Sequence, residues 1–138
     1  MTGTGDSGKS LAAKLGLKPG TTLLAVDAPA HYPTLIGGVD GVRITYVTPA
    51  DLPAPVHDLV HLFCRDTATL GAHAKGALAC IAAGGSLWVS WPKKGSPLHV
   101  DLTEDGVREA LLRLGWVDVK VCAVDGDWSA LKFVKRRG

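Results

Sequence analysis

The run TTLLAVDA, residues 21–28, is apolar along most of its length and lies between the chain breakers KPG and PAHYP. A strand with one face in water alternates apolar and polar side chains, whereas a strand covered on both faces does not. The run therefore predicts a buried strand in a parallel sheet. Since parallel strands need crossover connections on the faces of the sheet, the remaining sequence must supply helices.

Other segments supply the further strands of this sheet. Residues 42–48 alternate and are rich in β-branched side chains, which predicts a strand nearer an edge. Residues 58–64 and 86–91 predict two more central strands. The segments WVDVKVCAVD and DWSALKFVKR, which share the turn DGD, predict a C-terminal antiparallel hairpin. Trp116 and Trp128 bracket that hairpin and are expected to pack near each other or against a helix; if they were exposed instead, they would mark a partner surface.

Two segments have clear helical patterns. Leu70, Ala74, Leu78 and Ile81 have helical spacing, and the pair Gly84-Gly85 predicts the end of that helix. The segment DLTEDGVREALLRLG predicts a second helix, with Thr103 as its N-cap and two acidic residues in its first turn. Only a short helix fits before the second strand. The order of elements predicts an α/β three-layer sandwich with a mostly parallel six-stranded sheet.

Length and composition limit the classes of function. A chain of 138 residues predicts a single domain over residues 1–138, with residues 1–6 as a flexible tail. The net charge of +2 argues against nucleic acid as a partner, and the lack of a long apolar run argues against a membrane. Three widely spaced cysteines are typical of a reducing compartment, so we expect a bacterial-type cytoplasmic protein.

Particular phrases of the sequence resemble known families. LGLKPGTTLLAVDAP, AAGGSLWVSW and the terminal hairpin are similar in order to the S-adenosylmethionine-dependent methyltransferase fold, a Rossmann-like architecture, shortened by one helix and one edge strand. DLVHLFC, LWVSWPKK and DVKVCAVDGDWSALKFVKR also resemble a small bacterial family of unknown function. The second resemblance implies no activity.

The methyltransferase resemblance implies a glycine-rich turn after the first strand and an acidic residue after the second. In this chain Asp27 is followed by Ala28, Pro29, Ala30 and His31, so side chains and a proline occupy the glycine positions. The acid that would grip the ribose hydroxyls is replaced by Thr48-Pro49, with Asp51 three residues after Thr48. We therefore predict that the cofactor site has been lost and that the domain uses no cofactor.

A phosphate-loop motif is present at the N-terminus, where residues 3–10 read GTGDSGKS. Such a loop needs a strand before it and a helix after it to hold its amides on the phosphates. Only Met1 and Thr2 precede Gly3, so we expect no strand there. The motif favours a glycine-serine lead into a helix capped by Ser7 or Ser10 over an NTPase.

Ligands of open parallel sheets bind beyond the carboxyl ends of the strands, which gives a candidate site. The residues predicted to line it are Asp27, His31, Tyr32, Thr48, Arg65, Trp91 and Lys93. No Cys/His spacing matches a metal site, and no nucleophile with a positioned base is evident, so we predict neither a metal nor catalytic residues. His61 is expected to be a hydrogen-bonded core or interface histidine, and Cys64 an inert thiol.

These observations favour a non-catalytic, methyltransferase-like binding or regulatory module. Its expected partner is another protein or a small anionic ligand. The alternative is a small-molecule enzyme of the methyltransferase type with an altered cofactor pocket around Asp27, Thr48 and Trp91. A third hypothesis is the P-loop NTPase. The sequence does not indicate the oligomeric state.

Overall fold

The structure, a computed structural model, describes residues 10–53 and 57–137. Its helices are α1 (Leu11–Leu15), α2 (Tyr32–Ile36), α3 (Thr67–Leu78) and α4 (Glu104–Arg113), with a 3₁₀ turn at Pro49–Asp51. Its strands are β1 (Thr22–Val26), β2 (Arg43–Val47), β3 (His57–Phe63), β4 (Ile81–Pro92), β5 (Trp116–Ala123) and β6 (Trp128–Lys135).

Within these ranges the six strands form one sheet in the order β2-β1-β3-β4-β6-β5. The pairings of β1 with β2, β1 with β3 and β3 with β4 are parallel. The last strand, β6, lies antiparallel between β4 and β5. The predicted α/β sheet with a C-terminal antiparallel hairpin is confirmed, and its parallel part comprises the first four strands.

Helices cover both faces of the sheet and produce two hydrophobic cores. One core lies beneath α3 and α4 and includes Leu24, Leu62 and Leu111. The other lies beneath α1 and α2 and includes Leu23 and Trp88. Neighbouring residues of β1 thus point into different cores, which is why this strand is apolar throughout rather than alternating. The three-layer arrangement follows.

Local capping fixes the starts of α1 and α4 as the sequence predicts. The Ser10 hydroxyl accepts a hydrogen bond from the Ala13 N–H, and Thr103 does the same for the Gly106 N–H. Arg108 of α4 bonds Glu104 one turn earlier and Asp118 on β5. Arg108 therefore stabilises the first turn of α4 and also joins α4 to the edge strand β5.

The predicted end of α3 is wrong. The helix ends at Leu78, and Ile81 already belongs to β4, where it pairs with His57. The next described pair is Leu59 with Ser86, so residues 82–85 bulge out opposite Asp58 alone. Gly84 has a φ of +82°, and a Cβ on Gly85 would lie 2.7 Å from the Asp58 carbonyl oxygen. The glycine pair therefore builds this bulge, which we call the β4 bulge, rather than a helix stop.

Other predictions fall on particular side chains or outside the described ranges. Trp116 and Trp128 are both buried and belong to different cores, so the hairpin presents neither as an exposed aromatic anchor. The tail of residues 1–6 and the phosphate-loop motif up to Lys9 lie outside the described residues. Among the described residues, no helix is long and apolar enough to cross a bilayer.

Candidate functional site

A cleft of about 470 Å³ opens at the carboxyl ends of β1 and β3, where the sheet rule places ligands. The segment after β1 forms one wall of this strand-end cleft, and the start of α3 and the beginning of β6 form the rest. Its lining residues are Asp27, Ala28, Pro29, Ala30, Phe63, Arg65, Asp66, Thr69 and Trp128.

The floor of the strand-end cleft is aromatic. The rings of Phe63 and Trp128 meet edge to face with their centroids 5.1 Å apart, and Tyr32 packs on the other edge of Phe63 at 5.3 Å. Both cleft-lining rings are largely buried by this packing, so they form a rigid surface rather than mobile side chains. The cleft therefore has an apolar floor.

One cation and two carboxylates lie at the mouth of the cleft. Arg65 is exposed and makes no ion pair or side-chain hydrogen bond with any described residue. Asp66 is the N-cap of α3, and its hydrogen bonds from Thr69 hold its pKa below the usual value. The carboxylate of Asp27 forms no hydrogen bond or ion pair with a described residue. Arg65 and Asp27 are therefore the two charges available to a ligand.

The thiol of Cys64 lies next to this group at the end of β3. Burial, aided by the nearby charges of Asp27 and Asp66, raises its pKa to about 12. A thiol with that pKa is protonated at neutral pH, and only the thiolate is a strong nucleophile. Nucleophilic catalysis by Cys64 is therefore disfavoured.

Asp27 has an unusual backbone conformation. Its φ of +59° lies in the left-handed region, the only such value at a non-glycine residue in the described ranges. Its N–H donates to the Val47 carbonyl, which ties the end of β1 to the end of β2. A Cβ in this conformation costs energy that glycine avoids. A side chain is thus held where glycine would fit more easily.

We expect Asp27→Gly to raise the free energy of unfolding by up to about 1 kcal/mol, because relief of the left-handed strain exceeds the extra unfolded-state entropy of glycine. Asp27→Ala, the matched control, keeps the strain and loses the tolerance that aspartate has for this region, so it should be destabilising. Urea denaturation of the three proteins measures both. Equal stability of the Gly and Ala variants would contradict the assignment of strain.

The segment after Asp27 is anchored to the hairpin turn. The Nε2 atom of His31 lies 2.7 Å from the Oδ2 atom of Asp125, and the half-exposed imidazole closes one end of the loop. Burial alone would raise the pKa of Asp125, but its hydrogen bonds with His31 and the N–H groups of Asp127 and Trp128 outweigh burial and hold it below the usual value. The wall of the cleft is therefore tied to the turn that carries Trp128.

A smaller pocket of about 350 Å³ lies between the ends of β1 and β2 and shares Asp27 with the strand-end cleft. Thr48, Tyr46 and Asp51 line it. The 3₁₀ turn at Pro49–Asp51 returns Asp51 toward β1, although in sequence it follows Thr48 by three residues. A carboxylate is thus present at this pocket, supplied from a different position than the resemblance implies.

The structure separates the other predicted site residues. Tyr32 is fully buried beneath the cleft, and Trp91 is buried on the α3–α4 face, where it lines a different pocket with Lys94 and Glu104. The Lys93 N–H donates to the Asp127 carbonyl. Of the seven predicted residues, Asp27 and Arg65 line the strand-end cleft, His31 is at its rim, and Thr48 lies in the adjoining pocket. Their role in binding stays a prediction.

A buried polar chain lies under the cleft. The Tyr32 hydroxyl is 2.8 Å from His61 Nδ1, and His61 Nε2 is 2.6 Å from the Ser90 hydroxyl. Burial lowers the pKa of His61 to about 3 and raises that of Tyr32, so both are neutral at pH 7. All three side chains are inaccessible to solvent. Their role is to position α2 against the sheet, in line with the expectation that His61 is a hydrogen-bonded core histidine.

Within residues 10–53 and 57–137, no three His, Cys, Asp or Glu side chains converge closely enough to hold an ion. Phe63 and Trp128, which line the cleft, and Asp125, which binds His31, are not predicted as site residues from sequence. Of the predicted residues that the structure places elsewhere, Trp91 could have been excluded from the sequence. It lies three residues after Trp88 on β4, and an odd spacing along a strand places two residues on opposite faces.

Comparison with known proteins identifies the architecture. The structure is similar to a SAM-dependent methyltransferase from Aquifex aeolicus, with a TM-score of 0.67 and 15% identity over 89% of this chain and 86% of that one. The fold is that of the SAM-dependent methyltransferases. It is also similar to a TehB-like SAM-dependent methyltransferase from Corynebacterium glutamicum, with a TM-score of 0.59 and 14% identity over 96% of this chain and 90% of that one.

A third similar structure is magnesium protoporphyrin IX methyltransferase from Synechocystis with bound SAM, at a TM-score of 0.58 and 14% identity over 91% of this chain and 74% of that one. No protein-family model matches the sequence, and no curated protein matches it. The resemblance to the methyltransferase fold is thus confirmed, whereas the resemblance to a small bacterial family stays a prediction.

Proposed function

We propose that this chain is a non-catalytic binding domain on the methyltransferase fold, with the strand-end cleft as its ligand site. The observation that carries the proposal is the segment after β1. It presents side chains at Ala28, Ala30 and His31 and no N–H at Pro29, and the bond from His31 to Asp125 holds it in place. These residues do not fit a nucleoside cofactor that needs close approach to bare backbone.

The charges of the cleft favour a dipolar ligand. Arg65 would bind an anionic group, Asp27 a cationic group, and the rings of Phe63 and Trp128 a flat apolar part. Asp66 adds a second negative charge to the lining, so a purely anionic molecule is opposed. The sequence predicts a small anionic ligand, and these charges restrict the class to anions that also have a cationic group, such as an aromatic amino acid.

Location in the bacterial cytoplasm belongs to the same proposal. Cys64 and Cys80 are buried thiols outside any disulfide, as is usual in a reducing compartment. The bacterial source rests on the phrases of the sequence that resemble a small bacterial family.

Calorimetric titration tests the loss of the cofactor site. We expect no saturable binding of S-adenosylmethionine, S-adenosylhomocysteine or ATP, that is, dissociation constants weaker than about 1 mM. L-Tryptophan is the positive probe, compared with tryptamine and indole-3-propionate, which keep the ring and one charge each. Tryptophan should bind at least about tenfold more tightly than either, which corresponds to about 1.4 kcal/mol.

Two variants test whether Arg65 binds the anionic group of the ligand and Asp27 its cationic group. In Arg65→Gln, tryptophan should no longer bind more tightly than tryptamine. In Asp27→Asn, it should no longer bind more tightly than indole-3-propionate. Lys94→Gln, which removes a cation outside the cleft, is the matched control and should change neither. Equal binding of the three probes to the wild-type domain would overturn the ligand class, and micromolar binding of S-adenosylmethionine would overturn the non-catalytic assignment.

Asp51 favours one alternative, a methyltransferase-type enzyme with an altered cofactor pocket. Its carboxylate lines the pocket between β1 and β2, where the resemblance implies an acid for the ribose hydroxyls. Under this alternative S-adenosylmethionine binds, and Asp51→Asn weakens it by about tenfold or more, the loss of one charged hydrogen bond. The NTPase hypothesis predicts instead that ATP binds and that Lys9→Ala abolishes binding.

A further inference from the structure

A second cavity of about 460 Å³ lies at the opposite end of the sheet, where β4 begins and β6 ends. The β4 bulge forms one wall, and the end of α3 and the ends of the hairpin strands form the others. It shares no lining residue with the strand-end cleft. Its apolar side chains include Leu78, Ile81, Trp116 and Val134.

The backbone wall of this cavity has little freedom. Gly85 packs so closely that a Cβ there would lie 2.6 Å from Ile81 Cγ2 and 2.7 Å from the Asp58 carbonyl oxygen. Gly84 adopts a left-handed conformation with φ of +82°. The bulge is therefore held against β3 by contacts that only glycine permits, and the cavity is preformed rather than opened by a mobile loop.

The charge of this cavity is of one sign. Lys135 and Arg137 are the charged residues of its lining, and no carboxylate from the described part of the chain lines it. Neither cation forms an ion pair or a side-chain hydrogen bond within residues 10–53 and 57–137. Two unpaired cations beside an apolar surface are complementary to a molecule with an anionic group at one end and an apolar body at the other.

We propose that this cavity binds a small organic anion with a flat apolar body. The body packs against Trp116 and the aliphatic side chains, and Lys135 and Arg137 bind its carboxylate or other anionic group. The site is independent of the proposed function, since it requires neither the strand-end cleft nor a dipolar ligand.

The probe is 2-naphthoate, titrated calorimetrically and by ¹H–¹⁵N correlation spectra into the full chain. We expect a one-to-one complex whose spectral shifts centre on Gly84, Gly85 and the Trp116 indole. The neutral analogue 2-naphthylmethanol has the same rings without the charge and should bind at least about tenfold more weakly. Comparable affinity for the two probes would overturn the proposal.

The double variant Lys135→Ala/Arg137→Ala should weaken 2-naphthoate binding by about tenfold or more, with an unchanged thermal midpoint because both residues lie at the surface. Lys94→Ala/Lys120→Ala loses the same net charge elsewhere and should bind as the wild type does. Equal weakening in both double variants would mean a general charge effect and would refute the site. Shifts confined to the strand-end cleft would refute it as well.

Discussion

Acidification will destabilise this domain by about 1.4 kcal/mol for each pH unit between about pH 6 and pH 4.5, because His61 is buried in its neutral form. The pKa of His61 is about 3 in the folded chain against 6.5 for an ordinary histidine. Between these values the unfolded chain binds a proton that the folded chain does not. The contribution of neutral His61 to the free energy of unfolding is therefore fully present above pH 6.5, and it is lost as the pH decreases toward 3. Urea denaturation at a series of pH values measures the slope.

His61→Gln removes the titrating group while it keeps a polar side chain near Tyr32 and Ser90, so its slope in this window should be smaller by about 1.4 kcal/mol per pH unit. Ser90→Ala is the control, since it leaves His61 buried and should retain the wild-type slope. A His61→Gln protein with the wild-type slope would refute this origin of the acid sensitivity.

Trp88→Ala will have the largest effect of any single truncation considered, a loss of about 3–5 kcal/mol in the free energy of unfolding. Trp88 is fully buried beneath α1, and its indole N–H donates to the Leu15 carbonyl over 3.2 Å. The substitution leaves a cavity in the core under α1 and α2 and removes the donor that holds the end of α1 to the sheet. Chemical denaturation gives the magnitude directly.

Trp88→Phe separates the two contributions. It removes the N–H donor and leaves a smaller cavity than alanine does, so its loss should be smaller than that of the alanine variant, about 1–3 kcal/mol, the usual range for a buried acceptor left unpaired. Should the alanine variant not fold, the phenylalanine variant still tests the hydrogen bond. A loss under about 1 kcal/mol for the alanine variant would contradict the burial of Trp88.

The architecture could be predicted because the local patterns agree with the tertiary structure. Leu23 and Leu24 point into different cores, and the sequence records this as a strand without alternation. The end of α3 could not be predicted in the same way. Glycine pairs are compatible with helix ends and with bulges, and the contact that decides between them, Gly85 against Asp58, joins two strands far apart in sequence.

From the sequence, only those site residues that directly follow a predicted parallel strand could be identified. Asp27 and Arg65 follow β1 and β3, and the strand-end rule places both at the cleft. Trp128 reaches Phe63 because β6 lies next to β4, an order that no local pattern specifies. Asp125 likewise meets His31 across 94 positions of sequence. Long-range contacts of this kind set the composition of the cleft.

The position of β6 has a consequence for synthesis of the protein. Because β6 lies between β4 and β5, the edge strand β5 reaches the sheet only through it. A ribosome that has extruded residues only up to Asp127 presents the four parallel strands with the β4 edge uncovered and β5 without a neighbour. Closure of the sheet must therefore wait for residues 128–135 to leave the exit tunnel, and during that interval the nascent chain is open to strand exchange and chaperone capture.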